Sequence, residues 1–482
     1  MDKSFAIMLI LLLLVASCYL TRLQASNASK TIVVPDDYAT LEAAVQQASP
    51  GDTVYVRAGR HKISKDTLII NKALSIIGED AASTVLIGPG YGYEFFPYPS
   101  RTEADSRVST LLSGGTVPAN FIPPSKVAIQ VNADNFQISH VTIEKCDVGI
   151  TVYGNGTILT DTKMPSASIT GSNALISDNV ISSISVNGDH QRIMRNQGYI
   201  NLGGSYNVVV ENGAGSDMSL SGSFNVIAGN NFSTVYMGNA HSNLICNNSL
   251  GCLWVGFDGQ CSNNTVVKNR LTGPGLWGIL MGAGSYNIFH ENLICNYTGE
   301  YSGYGIAIGG YGQIAERNLF YRNILINNNR HVSTNWEVLG AGTLWDNGKE
   351  GNYWDDYNGA DADGDGIGDT SYIVRGVVWN ESAGGHVSFV FGRDNYPLMF
   401  PFDVDSVQME LPEWALRMLY LSYELPNPSP SLSATAEPTP ILEPQQKEPF
   451  SITWVVIAIS AAVVGVGIIY HFKKSRKLPR LN

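Results

Sequence analysis

Five oxygen-bearing positions fall within nine residues in the C-terminal half of the chain. The set is Asp361, Asp363, Asp365, Ile367 (through its main-chain carbonyl) and Asp369, at loop positions 1, 3, 5, 7 and 9. Ca²⁺ takes six to eight oxygen ligands at such spacings, and Gly366 at position 6 permits the sharp turn. Position 12 is Tyr372, where a calcium sensor carries a bidentate glutamate. The pattern predicts a structural Ca²⁺ site, and a solvated acidic turn is the alternative.

One cluster combines an acid, an imidazole and a guanidinium, namely Asp189, His190 and Arg192. A polysaccharide hydrolase needs two or three close carboxylates, and a lyase needs a base that can take a proton. Other acids are sparse in this part of the chain. The three residues are therefore the candidates for catalysis, with a turn of solvated charges as the alternative. The sequence as a whole favours a protein that is not an enzyme.

Aromatic side chains that could bind sugar rings by stacking recur between residues 254 and 311. The set is Trp254, Phe257, Trp277, Tyr297, Tyr301, Tyr304 and Tyr311. If the segments that carry them are stacked, the rings align along one face, and Trp254, Trp277 and Tyr304 become candidate carbohydrate-binding residues. The alternative is an internal aromatic ladder that stabilises the stack.

An asparagine repeat indicates how these segments are stacked. Six times, an asparagine is followed five residues later by a second one, with apolar and often β-branched residues between them. The pairs are Asn207/Asn212, Asn225/Asn230, Asn243/Asn248, Asn264/Asn269, Asn287/Asn292 and Asn318/Asn323. A unit of roughly 20 residues is too short for paired helices and fits one coil of short strands. The repeat predicts a parallel β-helix with the asparagines at its turns, because asparagine tolerates left-handed backbone angles and its amide can bond the coil above or below.

Other signals set the limits of this solenoid. A first strand at 31–34 precedes a short helix, capped by Asp36 or Asp37, that we expect to cover the N-terminal end. Coils are expected over 31–345, interrupted by a long aromatic loop at 88–125. A second recurring strand segment begins at Gly149, Gly278 and Gly305, where glycine is expected to permit a sharp corner.

The C-terminal part of the chain divides into shorter segments. Residues 346–402 are expected to form an irregular cap that contains the Asp-rich loop, and residues 403–425 a short helical segment. Residues 426–449 are rich in proline and predict a stiff linker. Residues 452–470 lack charges and predict one transmembrane helix, followed by a basic tail at 471–482.

The two ends of the chain together predict its location. Residues 1–25 have the pattern of a secretory signal peptide, and the basic residues after 470 predict a cytoplasmic tail. We therefore expect a single-pass cell-membrane protein whose bulk is extracellular, with the membrane and cell-surface glycans as partners. Seven N-glycosylation sequons agree with this location. The net charge of −12 argues against a nucleic-acid partner.

Five cysteines remain after the signal peptide, and their spacing is uneven. Such a set does not form a disulfide framework. A bridge between Cys252 and Cys261 and a set of buried thiols are both compatible with the sequence.

Both ends of the coil region resemble a known family. The opening segment is Val34-Pro35-Asp36-Asp37-Tyr38, followed by Ser49-Pro50-Gly51-Asp52-Thr53-Val54-Tyr55-Val56. The closing segments are Gly351-Asn352-Tyr353-Trp354-Asp355-Asp356-Tyr357, the Asp-rich loop, and Asp394-Asn395-Tyr396-Pro397-Leu398. Together they resemble the NosD-like, pectate-lyase-like right-handed parallel β-helix proteins, and the linker, span and tail are similar to archaeal surface members of that group.

The resemblance implies an all-β, right-handed solenoid and an exported location, and it leaves the activity open because such folds host many functions. The leading expectation is a structural, adhesive or carbohydrate-binding role at the cell surface. A polysaccharide lyase or hydrolase is one alternative. A copper-handling accessory protein is another, although copper needs soft or imidazole ligands and the eight histidines are scattered.

Overall fold

The computed structural model describes most of the region between residues 29 and 420. The described ranges are 29–63, 66–91, 125–299, 303–309, 315–334, 342–380 and 385–420, all within the first of two units, residues 1–428. The predicted signal peptide, most of the aromatic loop, the linker, the transmembrane helix and the basic tail lie outside these ranges. No helix in the described ranges is long and apolar enough to cross a membrane.

Stacked coils form three parallel sheets, which we name A, B and C in the order in which each coil passes through them. Sheet A contains Thr31–Val34, Thr53–Val56, Ser75–Gly78, the first residues of Gln137–Glu144 and of Ile158–Thr170, and then Leu175–Ser177, Arg192–Met194, Val208–Val210, Val226–Ala228, Leu244–Cys246, Thr265–Val267, Ile288–His290 and Leu319–Tyr321.

Sheets B and C share several long, bent strands. These are Ile158–Thr170, which also spans sheet A, and Val180–Asn187, Gln197–Gly203, Gly213–Ser223, Asn231–His241 and Ser249–Val255. Gln137–Glu144 is bent in the same way and spans sheets A and B. Sheet B also contains Gly59–Lys62, Thr84–Ile87, Arg270–Thr272, Leu293–Cys295, Ile324–Ile326 and Tyr353–Trp354. Sheet C also contains Leu68–Ile70, Val127–Val131, Val148–Tyr153, Trp277–Met281, Tyr304–Ile308 and Arg330–Thr334.

The register places like residues above one another, so the interior is a set of apolar columns. One column in sheet C contains Ile184, Ile200, Met218, Val235, Leu253, Ile279 and Ile306. All of these side chains are buried. Alternate residues of a strand point to opposite faces, so the residues between them face outwards. The prediction of a parallel β-helix is confirmed.

The asparagines form two hydrogen-bonded ladders inside the turns. Each side-chain Oδ1 accepts from the main-chain N–H of the asparagine one coil earlier, as Asn248 does from Asn230 at 2.9 Å. The shorter ladder contains Gln191, Asn207, Asn225, Asn243, Asn264, Asn287 and Asn318. The longer one contains Asn179, Asn196, Asn212, Asn230, Asn248, Asn269, Asn292, Asn323 and Asn352. Buried polar groups of the turns are paired in this way.

The left-handed positions differ from the prediction. The residue before each asparagine of the repeats carries the positive φ in most coils, as at Tyr206 (φ 58), Phe224 (φ 58) and Glu211 (φ 57). The ladder asparagines themselves lack it, because their amides must point along the stack. The prediction that asparagine occupies the left-handed position was therefore wrong for these residues.

A short helix, α1 (Leu41–Gln47), packs its Leu41, Ala44 and Val45 into the core beside the first two strands of sheet A. Its N-cap is Thr40, whose Oγ1 accepts from the N–H of Ala43 at 3.2 Å. The expectation of an aspartate cap was wrong, since Asp37 instead accepts from the N–H of Val33 within the preceding turn.

The coils continue further than expected, and the cap is partly regular. Tyr353–Trp354 still pairs in parallel with Ile324–Ile326, so stacking reaches residue 354 instead of ending at 345. The cap then forms an antiparallel hairpin from Tyr372–Asn380 and Gly385–Asp394. A 3₁₀ turn (Val404–Ser406) and helix α2 (Glu413–Tyr420) follow. Helix α2 packs Ala415 and Met418 against apolar residues of sheet A.

The recurring glycines have a different role from the one expected. Gly278 and Gly305 lack positive φ. A Cβ on Gly278 would lie 2.7 Å from the carbonyl oxygen of Gly305, and one on Gly305 would lie 3.0 Å from that of His331. Close packing between coils, and not a sharp corner, therefore requires glycine at both positions.

The five cysteines of the described region are all free thiols, so Cys252 and Cys261 are not bridged. Burial raises the pKa of Cys146, Cys246 and Cys252 to about 12. These thiols stay protonated and pack as small apolar side chains.

Candidate functional site

The outer face of sheet C changes from polar to aromatic along the stack. One outward column runs through Thr151, Ser168, Ser185, Asn201, Ser219, Tyr236 and Trp254 in consecutive coils. Coils lie about 4.8 Å apart, so these positions form a regular row of hydroxyl and amide groups, followed by two aromatic rings. The same column then continues through Leu280 and Ala307, which are buried. Such a row can donate and accept hydrogen bonds along an extended, hydroxyl-rich polymer.

Four aromatic rings meet where the row of hydroxyl and amide groups ends. The Trp254 ring centroid lies 6.0 Å from that of Tyr236, 4.7 Å from that of Phe257 and 6.5 Å from that of Trp277. The side chain of Phe257 is 51% exposed, and the other three are partly exposed. We call Tyr236, Trp254, Phe257 and Trp277 the aromatic cluster. Exposed groups of large apolar side chains often mark ligand-binding surfaces.

A second column, formed by the first residues of three strands of sheet C and partly exposed, continues from this cluster towards the cap. Trp277, Tyr304 and Arg330 lie at paired positions in three consecutive coils. The structure thus brings Trp254 and Trp277 together and places Tyr304 one coil further on. Tyr297 is fully buried and donates to the carbonyl of Gly251 at 2.8 Å, so it belongs to the core. Tyr301 and Tyr311 lie outside the described residues.

The alternative of an internal aromatic ladder is also realised, at a different place. Phe289, Phe320 and Trp345 stack inside the last coils with centroid distances of 4.4 and 5.0 Å. Trp354 and Tyr372 continue this ladder into the cap, 4.3 Å apart. The outward cluster and the inward ladder therefore use different residues.

A cavity of about 420 Å³ lies between the last strand of sheet C and the cap hairpin. Its polar lining includes Arg330, His331, Asp356, Tyr372 and Arg375. The imidazole of His331 is 7% exposed, whereas the Asp356 side chain is 61% exposed. The cavity follows directly after Tyr304 in the second column, because Arg330 belongs to both.

The hydrogen bonds around His331 fix which ring nitrogen carries its proton. Asn328 Oδ1 accepts from the N–H of Tyr297 at 3.2 Å, which turns its Nδ2 towards His331 Nδ1 at 3.4 Å. An amide NH₂ can only donate, so Nδ1 accepts and Nε2 carries the proton. Nε2 then donates to Asp355 Oδ1 at 2.8 Å and lies 3.3 Å from Asp356 Oδ1.

This arrangement is a poor fit for a metal ion, although His331, Asp355 and Asp356 bring three potential ligand atoms within 4.8 Å of one another. A metal at Nε2 would displace the proton, and Nδ1 would then have to carry one facing the NH₂ of Asn328. The cluster is better suited to hydrogen bonding.

The ionisation states in the cavity favour recognition of hydroxyl groups. Burial acts to raise the pKa of Asp356, but hydrogen bonds from His331 and Tyr372 outweigh it and hold this pKa below its usual value. Burial and the nearby Asp356 carboxylate raise the pKa of Tyr372, so its hydroxyl keeps its proton. The cavity therefore offers an ionised carboxylate acceptor, held in place by the phenolic proton that Tyr372 donates to it.

The predicted catalytic residues Asp189, His190 and Arg192 are separated by their contacts. Asp189 Oδ1 accepts from the N–H of Ser205 at 2.7 Å. His190 stacks on the ring of Tyr206, with centroids 5.6 Å apart. Arg192 is buried under helix α2 and donates to the carbonyl of Met418 at 3.1 Å. The structure gives each a stabilising contact and does not assemble them into an acid–base pair.

The Asp-rich loop brings three of its predicted ligands together. Carboxylate oxygens of Asp361, Asp363 and Asp365 lie within 4.8 Å of one another. Asp369 turns its Oδ2 to the N–H of Ala362 at 2.7 Å, and Ile367 lies in a bridge to Leu398. A set of carboxylate oxygens in an exposed loop suits Ca²⁺, which prefers hard ligands and tolerates variable geometry.

The sequence did not identify the cavity. Asp355 and Asp356 belong to the closing motif, but His331 precedes Asp355 by 24 residues and stood out in no pattern. The relevant signal was the alignment of Trp277, Tyr304 and Arg330, which requires the register across coils of unequal length.

Neither a protein-family model nor a curated protein sequence matches this chain. Among solved structures, it is similar to the catalytic domain of a GH87 α-1,3-glucanase in complex with nigerose, with 12% identity and a TM-score of 0.38. That match covers 67% of this chain and 66% of the glucanase domain, just under two thirds of its length.

Two further matches are at similar levels. One is the PL6 family alginate lyase AlyGC, with 13% identity, a TM-score of 0.31, and coverage of 68% of this chain and 51% of the lyase. The other is the A-module of the Azotobacter vinelandii mannuronan C-5 epimerase AlgE6, with 13% identity, a TM-score of 0.35, and coverage of 63% and 95%. Resemblance at these identities and TM-scores carries no information about the activity of this chain.

Proposed function

We propose that this protein binds a polysaccharide along the outer face of sheet C. The observation that carries the proposal is the aromatic cluster, which terminates a row of outward hydroxyl and amide groups. Sugar rings have apolar faces that stack on aromatic side chains and hydroxyl rims that hydrogen-bond to short polar ones. A face that offers both at the spacing of successive coils suits an extended glycan.

The location of the protein is part of the same proposal. We infer that residues 1–25 direct export, that residues 452–470 anchor the chain in the cell membrane, and that the linker 426–449 holds the solenoid away from it. Five of the seven sequon asparagines lie at exposed described positions, which supports an external location. They are Asn155, Asn231, Asn247, Asn263 and Asn296.

Truncating the central ring of the cluster tests the binding face. Replacing Trp254 by alanine is expected to weaken polysaccharide binding by about thirtyfold, because a buried aromatic anchor contributes about 2 kcal/mol or more. Binding is measured with the purified full-length chain on a polysaccharide array, followed by titration calorimetry with the best ligand. Reducing and unsaturated ends are assayed in the same samples.

A matched control separates this site from surface aromatics in general. Phe224 is 46% exposed and stacks on Tyr206 at a corner outside sheet C. Replacement of Phe224 by alanine should leave affinity unchanged. If the Phe224 variant loses as much affinity as the Trp254 variant, or if the array shows no ligand, the proposal fails.

We propose that the Asp-rich loop binds Ca²⁺ and stabilises the cap. Extracellular modules bind Ca²⁺ with Kd of about 10⁻⁴–10⁻³ M, so about 10 mM Ca²⁺ should add roughly 1.4–2.7 kcal/mol of stability. For a protein of this size that is a rise in Tm of a few degrees relative to EDTA. Replacing Asp363 by asparagine should abolish the rise, and replacing Asp258, an exposed acid in the coils, should preserve it. A Tm that is the same in Ca²⁺ and in EDTA would contradict this site.

Polysaccharide cleavage is the second candidate function. The observation that favours it is the ionised Asp356 beside the proton-bearing Nε2 of His331 in the cavity. New reducing or unsaturated ends in the binding assay, lost on replacing His331 by glutamine, would support an enzyme. The copper-handling alternative gains no support, because the metal-capable clusters of the described residues contain one histidine and no cysteine.

A further inference from the structure

We propose that the cavity at the cap end of sheet C binds the negatively charged group of an acidic sugar, a carboxylate or a sulfate ester, through Arg330 and Arg375. The inference rests on the proposed function, because the aromatic cluster and Tyr304 would lead a bound glycan to this cavity. It names a charge class for the ligand, which the aromatic rings alone do not define.

Two arginine residues, Arg330 and Arg375, line one cavity in a protein of net charge −12. Most arginines of the described residues form ion pairs with carboxylates, namely Arg57, Arg60, Arg195, Arg270, Arg322 and Arg417. Arg330 and Arg375 are exposed, and neither has a carboxylate within 4.0 Å in the described part of the chain. Arginine is weakly hydrated and bonds planar or tetrahedral oxyanions through paired N–H groups, so two such side chains suit an anion.

The carboxylates of Asp355 and Asp356 do not pair with these two arginines. Asp355 accepts from the N–H of Asn327 at 2.6 Å and from His331 at 2.8 Å. Asp356 is engaged by His331 and by the hydroxyl of Tyr372, 3.2 Å away. The carboxylates are therefore held on the imidazole side of the cavity. Asp356 remains exposed enough to accept hydroxyl groups of the same sugar whose anionic group the arginines bind.

The position of Arg330 connects the cavity to the binding face. It lies two coils beyond Trp277 in the second column, which is about 10 Å at about 4.8 Å per coil. A glycan that stacks on Trp277 and Tyr304 would therefore reach the guanidinium with its next units. The geometry places charge recognition at the end of the aromatic column.

The test compares ligands that differ only in charge. Oligogalacturonate and its fully methyl-esterified form share one backbone, and a sulfated galactan supplies the second source of negative charge. With the full-length chain, the acid is expected to bind at least about tenfold more tightly than the ester. The double replacement of Arg330 and Arg375 by glutamine should remove this difference, whereas replacement of both by lysine should retain part of it.

A charge-matched control is available away from the cavity. Replacing Arg57 and Arg417 by glutamine removes the same number of charges from exposed ion pairs and should preserve the preference for the acid. The Trp254 variant should bind both the acid and the ester more weakly. That result would separate the aromatic cluster from the cavity. A preference seen only with the sulfated galactan and lost in the double variant assigns the cavity to sulfate.

Failure of this inference is distinguishable from failure of the proposed function. Equal binding of acid and ester, or a preference that survives in the double glutamine variant, overturns the cavity assignment and leaves the aromatic site intact. If no polysaccharide binds, the proposed function fails. The cavity is then tested alone with galacturonate against galactose by ligand-observed NMR, and equal signals from both, or none, overturn it.

Discussion

Replacing Asn230 by alanine is expected to lower the free energy of unfolding by about 4 kcal/mol or more. The Asn230 amide is 2% exposed and lies in the middle of the longer ladder. Its Nδ2 donates to the carbonyls of Val209 and Ala228 and to Asn248, and its Oδ1 accepts from the N–H and the Nδ2 of Asn212. Alanine leaves the buried N–H of Asn212 without its acceptor and removes one partner from each of the other groups. Each buried group left unpaired costs about 1–3 kcal/mol, and the lost side chain leaves a void.

The effect is measured by urea unfolding of the full-length chain, followed by circular dichroism. Asn201 is a matched control, because it is exposed on the outer face of sheet C, and its alanine variant should change stability by no more than about 0.5 kcal/mol. At low pH, where the carboxyl group is protonated, replacement of Asn230 by aspartate keeps an acceptor and one O–H donor in place of the amide NH₂, so the stability should fall between wild type and alanine. Equal stability of the Asn230 and Asn201 variants would show that the ladder contributes nothing.

The two asparagine ladders explain why the fold could be predicted from the sequence. A buried amide that bonds to its counterpart one coil away must recur in every coil, so the pairs from Asn207/Asn212 to Asn318/Asn323 repeat visibly. The spacing does not reveal which turn residue adopts left-handed angles, because the residue before each asparagine varies from Tyr206 to Glu211. The periodic part of the fold was therefore predictable, and the backbone detail at its turns was not.

The candidate site was predictable only where it follows the same periodicity. Trp254 and Trp277 belong to adjacent coils of sheet C, so stacking brings their strands together. The register pairs Trp254 with Leu280, and the two large rings meet across this three-residue offset. The sequence predicted an outward ring for Tyr297, but the turn that carries it lies off the strands and directs the ring into the core. His331 meets Asp355 and Asp356 because of the path of the chain in the cap, and this path does not follow the coil repeat. Non-periodic contacts of this kind require the structure.

The longer ladder ends on a buried carboxylate, and this end carries the second prediction. Asp394 Oδ2 accepts from the N–H of Asn352 at 2.7 Å and from Trp354 Nε1 at 2.9 Å, and its Oδ1 accepts from the N–H of Tyr396. The Asp394 side chain is fully buried. Replacing it by alanine should destabilise the protein at pH 7 by about 3–5 kcal/mol, because two buried donors and the partly buried N–H of Tyr396 lose their acceptor and a void remains.

Replacing Asp394 by asparagine should cost much less at pH 7, because one amide oxygen can continue the ladder without a buried charge. Only the bond from the N–H of Tyr396 is then lost. Urea unfolding of the two variants measures the difference. A stability of the asparagine variant as low as that of the alanine variant would show that the charge, and not the acceptor, holds the cap. Gly351 is a second probe, since a Cβ there would lie 1.7 Å from Asp394 Oδ1, so alanine should also loosen this end.

The same carboxylate makes stability depend on pH in a defined direction. Burial raises the pKa of Asp394 from 3.8 to about 6, against the hydrogen bonds of Asn352, Trp354 and Tyr396, and the charge of Asp346 adds to the rise. The folded state thus binds the proton more tightly than the unfolded state. The corresponding stability is fully present below about pH 3.8 and is lost as pH rises through about 6.

The size of this effect follows from the two pKa values. A change from 3.8 to about 6 corresponds to about 3 kcal/mol, at 1.36 kcal/mol per pKa unit. Other acids titrate as well, and several with lowered pKa values change stability in the opposite direction. The measurement is therefore the difference in unfolding free energy between wild type and the asparagine variant at pH 4, 5, 6 and 7. This difference should shift against the wild type by up to about 3 kcal/mol as pH rises. A constant difference would mean that Asp394 is stabilised as an anion by its three donors, and burial would then not control its ionisation.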